Sequence, residues 1–259
     1  MASTKIVNLL NAERVQVRGS IKKLLTDHAN NPFGTLREAG IQAELRSLLL
    51  TKFAKPVTAL LVTHDGRKRF NWRTPVKVKR VQLEMKVGVA QRDSNPAETN
   101  AASRTDIVVL TAKHHVELIC HPNGPGDVVA ALRPEDVKVA IEIKAAPSRT
   151  NQQKQKYADD IVRLLWLNRS HGIASFFVML DKSQTLYGEY INKPRAATIN
   201  DNNWAALKNL IPGINVCTAL PRNVKNYIEI CFIDGKRKPC IIYAWIAVVK
   251  SSTVHNDQP

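Results

Sequence analysis

Apolar and polar positions alternate along Val139–Ala145 (VAIEIKA). In a strand, Val139, Ile141 and Ile143 would fill one face while Glu142 and Lys144 project together from the other. Upstream, Ser103–Leu110 (SRTDIVVL) places Asp106 at the head of a second apolar run. Val81–Val87 (VQLEMKV) alternates strictly, which predicts a third strand. Leu36–Leu50 carries Leu36, Ile41, Leu45, Leu48 and Leu49 at helical spacing, and Asn151–Asn168 does the same with Tyr157, Ile161, Leu164, Leu165 and Leu167. Gly172–Leu180 (GIASFFVML) is a continuous apolar run suited to a strand covered on both faces.

The flanks are less regular. Residues 1–30 predict helix, with Ile6, Leu9, Leu10, Val17, Ile21, Leu24 and Leu25 as the apolar face. Beyond Asp181 the pattern predicts a strand over Thr185–Ile191 and a short helix over Asn202–Leu210. Strands follow near Asn215–Leu220, Tyr227–Ile233 and Pro239–Val249, the last two joined by an Asp234-Gly235 hairpin. Ser251–Pro259 predicts a frayed tail. No internal repeat or long low-complexity linker divides the chain.

If the segments bearing Asp106 and Glu142 pair in a sheet, their carboxylates meet at one edge beside Lys144. Two carboxylates and one lysine make a site for a hard divalent cation, with the lysine placed to orient or deprotonate a water. The residue types are common, and the alternative is a half-buried strand whose charges face solvent. A competing Glu-x-Lys, Glu84-Met85-Lys86, has Asp65 upstream. Asp65-Gly66 reads as a tight turn, however, and polar sequence from Gln91 to Asn100 follows where a crossover helix is needed.

Asp106 with Glu142-x-Lys144, in the order helix, three strands, helix, strand, resembles the PD-(D/E)xK nuclease superfamily over roughly residues 36–181. The sequence departs from the motif at Arg104-Thr105, where the family name has Pro. It departs again in the long Thr111–Asp136 segment between the acids, expected to be an insertion with its own structure that includes Val116–Cys120 as a strand. The resemblance implies an α/β fold, a restriction-endonuclease-like mixed central sheet flanked by helices. Its expected division is an N-terminal helical segment (1–30), a nuclease core (34–181) and a strand-rich C-terminal extension (183–259).

The resemblance further implies Mg2+-dependent hydrolysis of phosphodiester bonds, with Mn2+ able to substitute. Asp106 and Glu142 would ligate the metal with the carbonyl of Ile143, and Lys144 would position or activate water. Glu44 is the better match to the family's helical glutamate and Glu38 the lesser one. Gln153 or Lys154 would touch the scissile phosphate. DNA is the expected substrate ahead of RNA, in defence, restriction or mobile-element biology, and homodimerisation is left open.

Charge agrees with a polyanionic partner. The chain has 38 Lys+Arg against 22 Asp+Glu, a formal net charge of +16, and cations release condensed counterions when they meet phosphates. The excess concentrates in Arg67, Lys68, Arg69, Arg73, Lys77, Lys79, Arg80 and Lys86, with Phe70 and Trp72 interleaved. That pattern is expected to grip a nucleic-acid backbone, or else to keep an exposed hairpin soluble. Lys236-Arg237-Lys238 reads as a solvated loop.

Cys120, Cys217, Cys231 and Cys240 lack CxxC spacing and read as reduced thiols. His114, His115, Cys120 and His121 match no common zinc spacing, and no HNH-type histidine follows. Ile6–Leu10 is too short for a signal peptide's apolar region, and Cys240–Val249 is about half a membrane span. A cytoplasmic protein with no membrane partner is expected. The competing function is a non-catalytic nucleic-acid-binding protein that keeps the nuclease-like fold.

Overall fold

The computed structural model describes residues 2–30, 38–63, 73–88, 104–112, 115–122, 128–144, 151–179, 214–217, 227–234 and 240–248. Among these, the strands are β1 (Val57–Thr63), β2 (Arg73–Val78), β3 (Val81–Val87), β4 (Arg104–Leu110), β5 (Val116–Pro122), β6 (Val128–Leu132), β7 (Val137–Lys144), β8 (Ala174–Met179), β9 (Ile214–Cys217), β10 (Tyr227–Asp234) and β11 (Cys240–Val248). They form one mixed sheet in the order β2-β1-β5-β6-β3-β4-β7-β8-β10-β11-β9. The helices are α1 (Ala2–Asn30), α2 (Glu38–Lys52) and α3 (Asn151–His171). The expected mixed α/β sheet flanked by helices is therefore present.

At the centre, β4 runs antiparallel to both β3 and β7, and β8 returns parallel to β7. A parallel return needs a crossover, which α3 supplies. Gly172 ends that helix at φ 67, and its N–H donates to the Asn168 carbonyl at 2.9 Å. This left-handed cap turns the chain into β8.

Alternation divides the sheet's apolar residues between two layers. Val108, Leu110, Ala140 and Phe177 pack with Ile161, Leu164 and Leu167 of α3. Ile107, Val109, Val139, Ile141, Ile143 and Phe176 pack with Val17, Ile21, Leu24 and Leu25 of α1 and with Ile41, Leu45 and Leu49 of α2. With apolar helices on both faces, β4 and β7 are buried nearly throughout. Asp106, Glu142 and Lys144 sit on the α3 face by the same alternation.

The segment between the acids extends the sheet. β5 and β6 form an antiparallel pair that joins β1 to β3. Only Lys79 and Arg80 separate β2 from β3, although three strands, β1, β5 and β6, lie between them in the sheet order. The run β2-β1-β5-β6-β3 must therefore curl until its two ends meet. Val57, Val116 and Leu132 add their side chains to the α3 layer.

The C-terminal strands continue the sheet beyond β8, with β10 parallel to β8 and β11 antiparallel to β10. The Asp65-Gly66 and Asp234-Gly235 turns, the Thr185–Ile191 strand, the Asn202–Leu210 helix and the Ser251–Pro259 tail lie outside the described residues. No helix among the described residues is long and apolar enough to cross a membrane.

One residue breaks the alternation. Glu84 in β3 has φ 52, left-handed backbone that costs a non-glycine residue on the order of 1 kcal/mol. Val81 and Leu83 pack on the α1/α2 face, whereas Met85 and Val87 pack on the α3 face, so the strand turns over at Glu84. Met85 pairs with Thr105 and Leu83 with Ile107, which places Glu84 alongside Asp106. Since the side chain is exposed, Glu84→Gly is expected to stabilise the fold by about 1 kcal/mol in urea unfolding. A destabilised variant would show that the carboxylate contributes more than its backbone costs.

Candidate active site

β4 and β7 pair Ile107 with Ile141, and one residue further along Asp106 comes beside Glu142. The Ile143 N–H donates to Asp106 Oδ2 at 2.6 Å. Asp106 is 6% exposed and Glu142 1%, so each carboxylate depends on the donors around it. Those for Glu142 come from α3, where Arg163 Nη2 donates to Glu142 Oε1. The same nitrogen reaches Asp160 Oδ1 at 2.9 Å. Lys144 Nζ lies 2.8 Å from Asp160 Oδ2, 3.7 Å from Glu142 Oε2 and 5.8 Å from the centre of the Tyr157 ring.

Asp160 thus bridges the lysine and the arginine, and the two candidate strand residues are each held from α3. The spacing that achieves this is legible after the fact. Tyr157, Asp160 and Arg163 recur every three residues, on the side of the helix that carries Ile161, Leu164 and Leu167 into the core. Two opposite charges on an apolar stripe are the signal that sequence reasoning passed over.

Burial is the largest influence on all three titrating groups. It raises the Asp106 carboxyl to about 6, opposed by the Ile143 N–H and by Lys144 and reinforced by the charges of Glu38 and Glu84. It also drives Glu142 well above the usual carboxylate range, against the pull of Arg163, with Asp106 and Asp160 adding to the rise. For Lys144 burial works toward deprotonation, but Asp160 and Glu142 outweigh it and hold the ammonium above its ordinary value. Lys144 is a firmly protonated cation in this arrangement.

The donor set fits a hard cation of modest demands. Among the described residues no hydrogen bond reaches Asp106 Oδ1, and Glu142 Oε2 faces Lys144 Nζ at 3.7 Å, so the second oxygen of each acid is held less firmly than the first. No group of three or more His, Cys, Asp or Glu among the described residues could hold a metal by itself. Two carboxylates suit Mg2+, which keeps several waters and takes substrate phosphate oxygens, better than a cation needing an all-protein cage.

Several expected residues lie elsewhere. Glu44 is not brought to the acids: its Oε2 is 2.9 Å from His28 Nε2 of α1. Glu38, six residues nearer the helix start, is the α2 glutamate whose charge reaches Asp106. Arg67, Lys68 and Arg69 lie outside the described residues, as do the side chains of Arg73, Gln153 and Lys154. Lys77 and Lys79 are exposed on or beside β2.

Arg80 is not an outward member of the basic ribbon. Its Nε and Nη2 donate to the Leu110 carbonyl at 3.0 and 2.9 Å, and its guanidinium lies 5.2 Å from the centre of the Phe53 ring. It ties the start of β3 to the end of β4, because Leu110 also donates its N–H to the Arg80 carbonyl at 2.8 Å. Two donors on one carbonyl and an aromatic beneath the plane hold the guanidinium in one place.

No protein-family model matches the chain, and no curated protein matches it. Among solved structures, the cAAA-bound form of P. aeruginosa ATCC27853 NucC is similar at 10% sequence identity. The alignment covers 75% of this chain and 71% of that one, with a TM-score of 0.30.

The raised carboxyl gives a readout that needs no substrate. Because the folded state holds the Asp106 proton more tightly than the unfolded chain, stability falls as pH rises from about 3.8 to about 6, and the full cost is present above that window. Asp106→Asn removes the ionisable group while its amide oxygen can still accept from Ile143. Its melting temperature is expected to equal or exceed that of the wild type at pH 7.5, with the difference closing by pH 4. A variant less stable at every pH would assign Asp106 to holding the fold.

Proposed function

We propose that this chain is a metal-dependent phosphodiesterase of the PD-(D/E)xK kind, acting on DNA. The observation that carries the reading is the convergence of Asp106, Glu142 and Lys144 on one face of adjacent strands, with one oxygen of each buried acid held less firmly than the other. Magnesium, when bound, supplies positive charge to the phosphate and acidifies a water.

The residues of the chain do the rest. The Ile143 N–H and Arg163 fix one oxygen of Asp106 and of Glu142, so the acids are held in place before a ligand arrives. Lys144, kept protonated by Asp160, donates to a water or to a phosphate oxygen and stabilises charge as it develops. An ammonium in that state orients water and does not remove its proton. Asp160 sets that state and is a positioning residue. The net charge of +16 supplies the attraction for a polyanion. A role in defence, restriction or mobile-element biology accords with such an activity.

The second reading is a nucleic-acid-binding protein without catalysis. Arg163 favours it, because an internal guanidinium already neutralises Glu142. Cleavage of supercoiled plasmid, linear duplex, single strands and RNA with Mg2+ or Mn2+ decides between the two. Lys144→Ala is expected to lower the rate by about 10²-fold or more with nucleic-acid affinity unchanged, since it removes one of 38 basic residues. Calcium is expected to support binding without turnover. Binding to every substrate with cleavage of none would leave the second reading standing.

Acid pH should act through Asp106. A protonated carboxyl is a poor metal ligand, so activity is expected to fall about tenfold per pH unit below its midpoint. That midpoint is expected at or below about 6, because a bound cation competes with the proton. A profile flat from pH 7.5 to 4.5 would remove Asp106 from the reaction.

A further inference from the structure

A cavity of about 170 Å³ opens where β1, β2 and the start of β3 meet, lined in part by Lys55, Thr58, Lys77, Arg80 and Ala112. It lies at the end of β4 opposite the acids. Arg80 holds the Leu110 carbonyl at that end, four residues and about 14 Å along the strand from Asp106. Among the described residues its lining holds three cations and no carboxylate.

Two features make this more than a charged surface. Lys77 Nζ donates to Thr58 Oγ1 at 2.7 Å across the β1–β2 pair, which fixes the ammonium and leaves it two further N–H groups. Arg80 is immobilised by Leu110 and Phe53, and no acceptor among the described residues reaches its Nη1. Glu13 Oε1 forms a loose ion pair with Arg80 Nη2 at 3.7 Å, from outside the cavity lining. Burial lowers the affinity of this guanidinium for its proton and Glu13 opposes that, while the described lining of the cavity adds Lys55 and Lys77 and no acid.

We propose that the cavity binds a phosphate group, with Arg80, Lys77 and Lys55 as its cationic donors and Thr58 orienting Lys77. Planar and ammonium donors around one oxyanion are the usual means of holding phosphate. The group can come from a nucleic-acid backbone or from a free phosphate or mononucleotide. The site does not depend on the acids being catalytic.

The test uses the full chain without divalent metal, so cleavage plays no part. Inorganic phosphate is titrated by calorimetry against wild type, Lys55→Gln/Lys77→Gln and a control, Lys22→Gln/Lys23→Gln, which removes the same charge from the exposed face of α1. The exposed lysines of the cavity are chosen because Arg80 also joins β3 to β4, and thermal melting checks that each variant is folded. Affinity is expected to fall about tenfold or more in the cavity variant and to stay within about twofold in the control. Equal losses in both variants, or no phosphate binding by wild type, would overturn the proposal. A single-stranded oligonucleotide and a mononucleotide titrated in parallel identify the source. A loss with the oligonucleotide as well as with phosphate assigns a backbone phosphate, a loss with the mononucleotide and phosphate alone assigns a small ligand, and unchanged phosphate affinity in the cavity variant would overturn the proposal.

Discussion

The pairing of β4 with β7 brings two carboxylates side by side in a place with little water, and the neighbouring structure answers to that cost. A one-residue slip in this register would send Asp106 to the α1/α2 face and separate it from Glu142. The register is pinned on both sides of the sheet, since Ile107, Val109, Val139 and Ile141 pack under α1 and α2 while Val108 and Ala140 pack under α3. Pairing becomes irregular between Val109 and Leu110, toward the opposite end of β4 from the acids. The aligned stretch therefore includes the positions where a slip would matter.

α3 has two tasks that its sequence combines. Its apolar residues cover the sheet, and its Asp160 and Arg163 neutralise what the sheet buries. Removing Arg163 alone would leave Glu142 buried without its donor, which is far costlier than never having buried the pair. The geometry also bears on readiness. Arg163 holds Glu142 by Oε1 while Lys144 stands 3.7 Å from Oε2, so on the proposed reading a cation at Oε2 would compete with Lys144 and leave Arg163 in place. On the proposed reading the pair is then a support for the metal site instead of a block to it.

Much of this was legible because alternation is a local property. β3 spans the residues its pattern predicts, and β4 and β7 differ by one residue at their ends from the strands expected over Thr105–Leu110 and Lys138–Ala145, since a strand covered on both faces leaves a continuous apolar mark. The helical glutamate was less so. Glu38 precedes Ile41 and Gln42 by three and four residues and so extends the buried stripe of α2 toward the acids. Glu44 falls on a different side of the helix, against His28, and choosing between them required knowing which stripe faces the sheet. Asp160 and Arg163 were missed because their partners are 16 and 21 residues away in sequence, on a strand whose register is a tertiary fact. β6 was missed because five residues of Val, Ala and Leu beside Gly124, Pro125 and Gly126 carry almost no periodicity. Nothing in the identity of Glu84 announces left-handed backbone, a conformation usually reserved for glycine or asparagine.

Charge gives the arrangement its sharpest constraint. In a chain with an excess of 16 basic residues, the candidate site gathers Asp106, Glu142 and Asp160 against Lys144 and Arg163, with Glu38 and Glu84 adding their fields at Asp106. On the proposed reading the net charge draws in a polyanion, yet the buried acids would repel the one phosphate that enters among them. A divalent cation reverses that local sign and makes the attraction continuous from the surface to the acids. On that reading, binding without metal and cleavage only with it would follow from one charge distribution, with no conformational switch required.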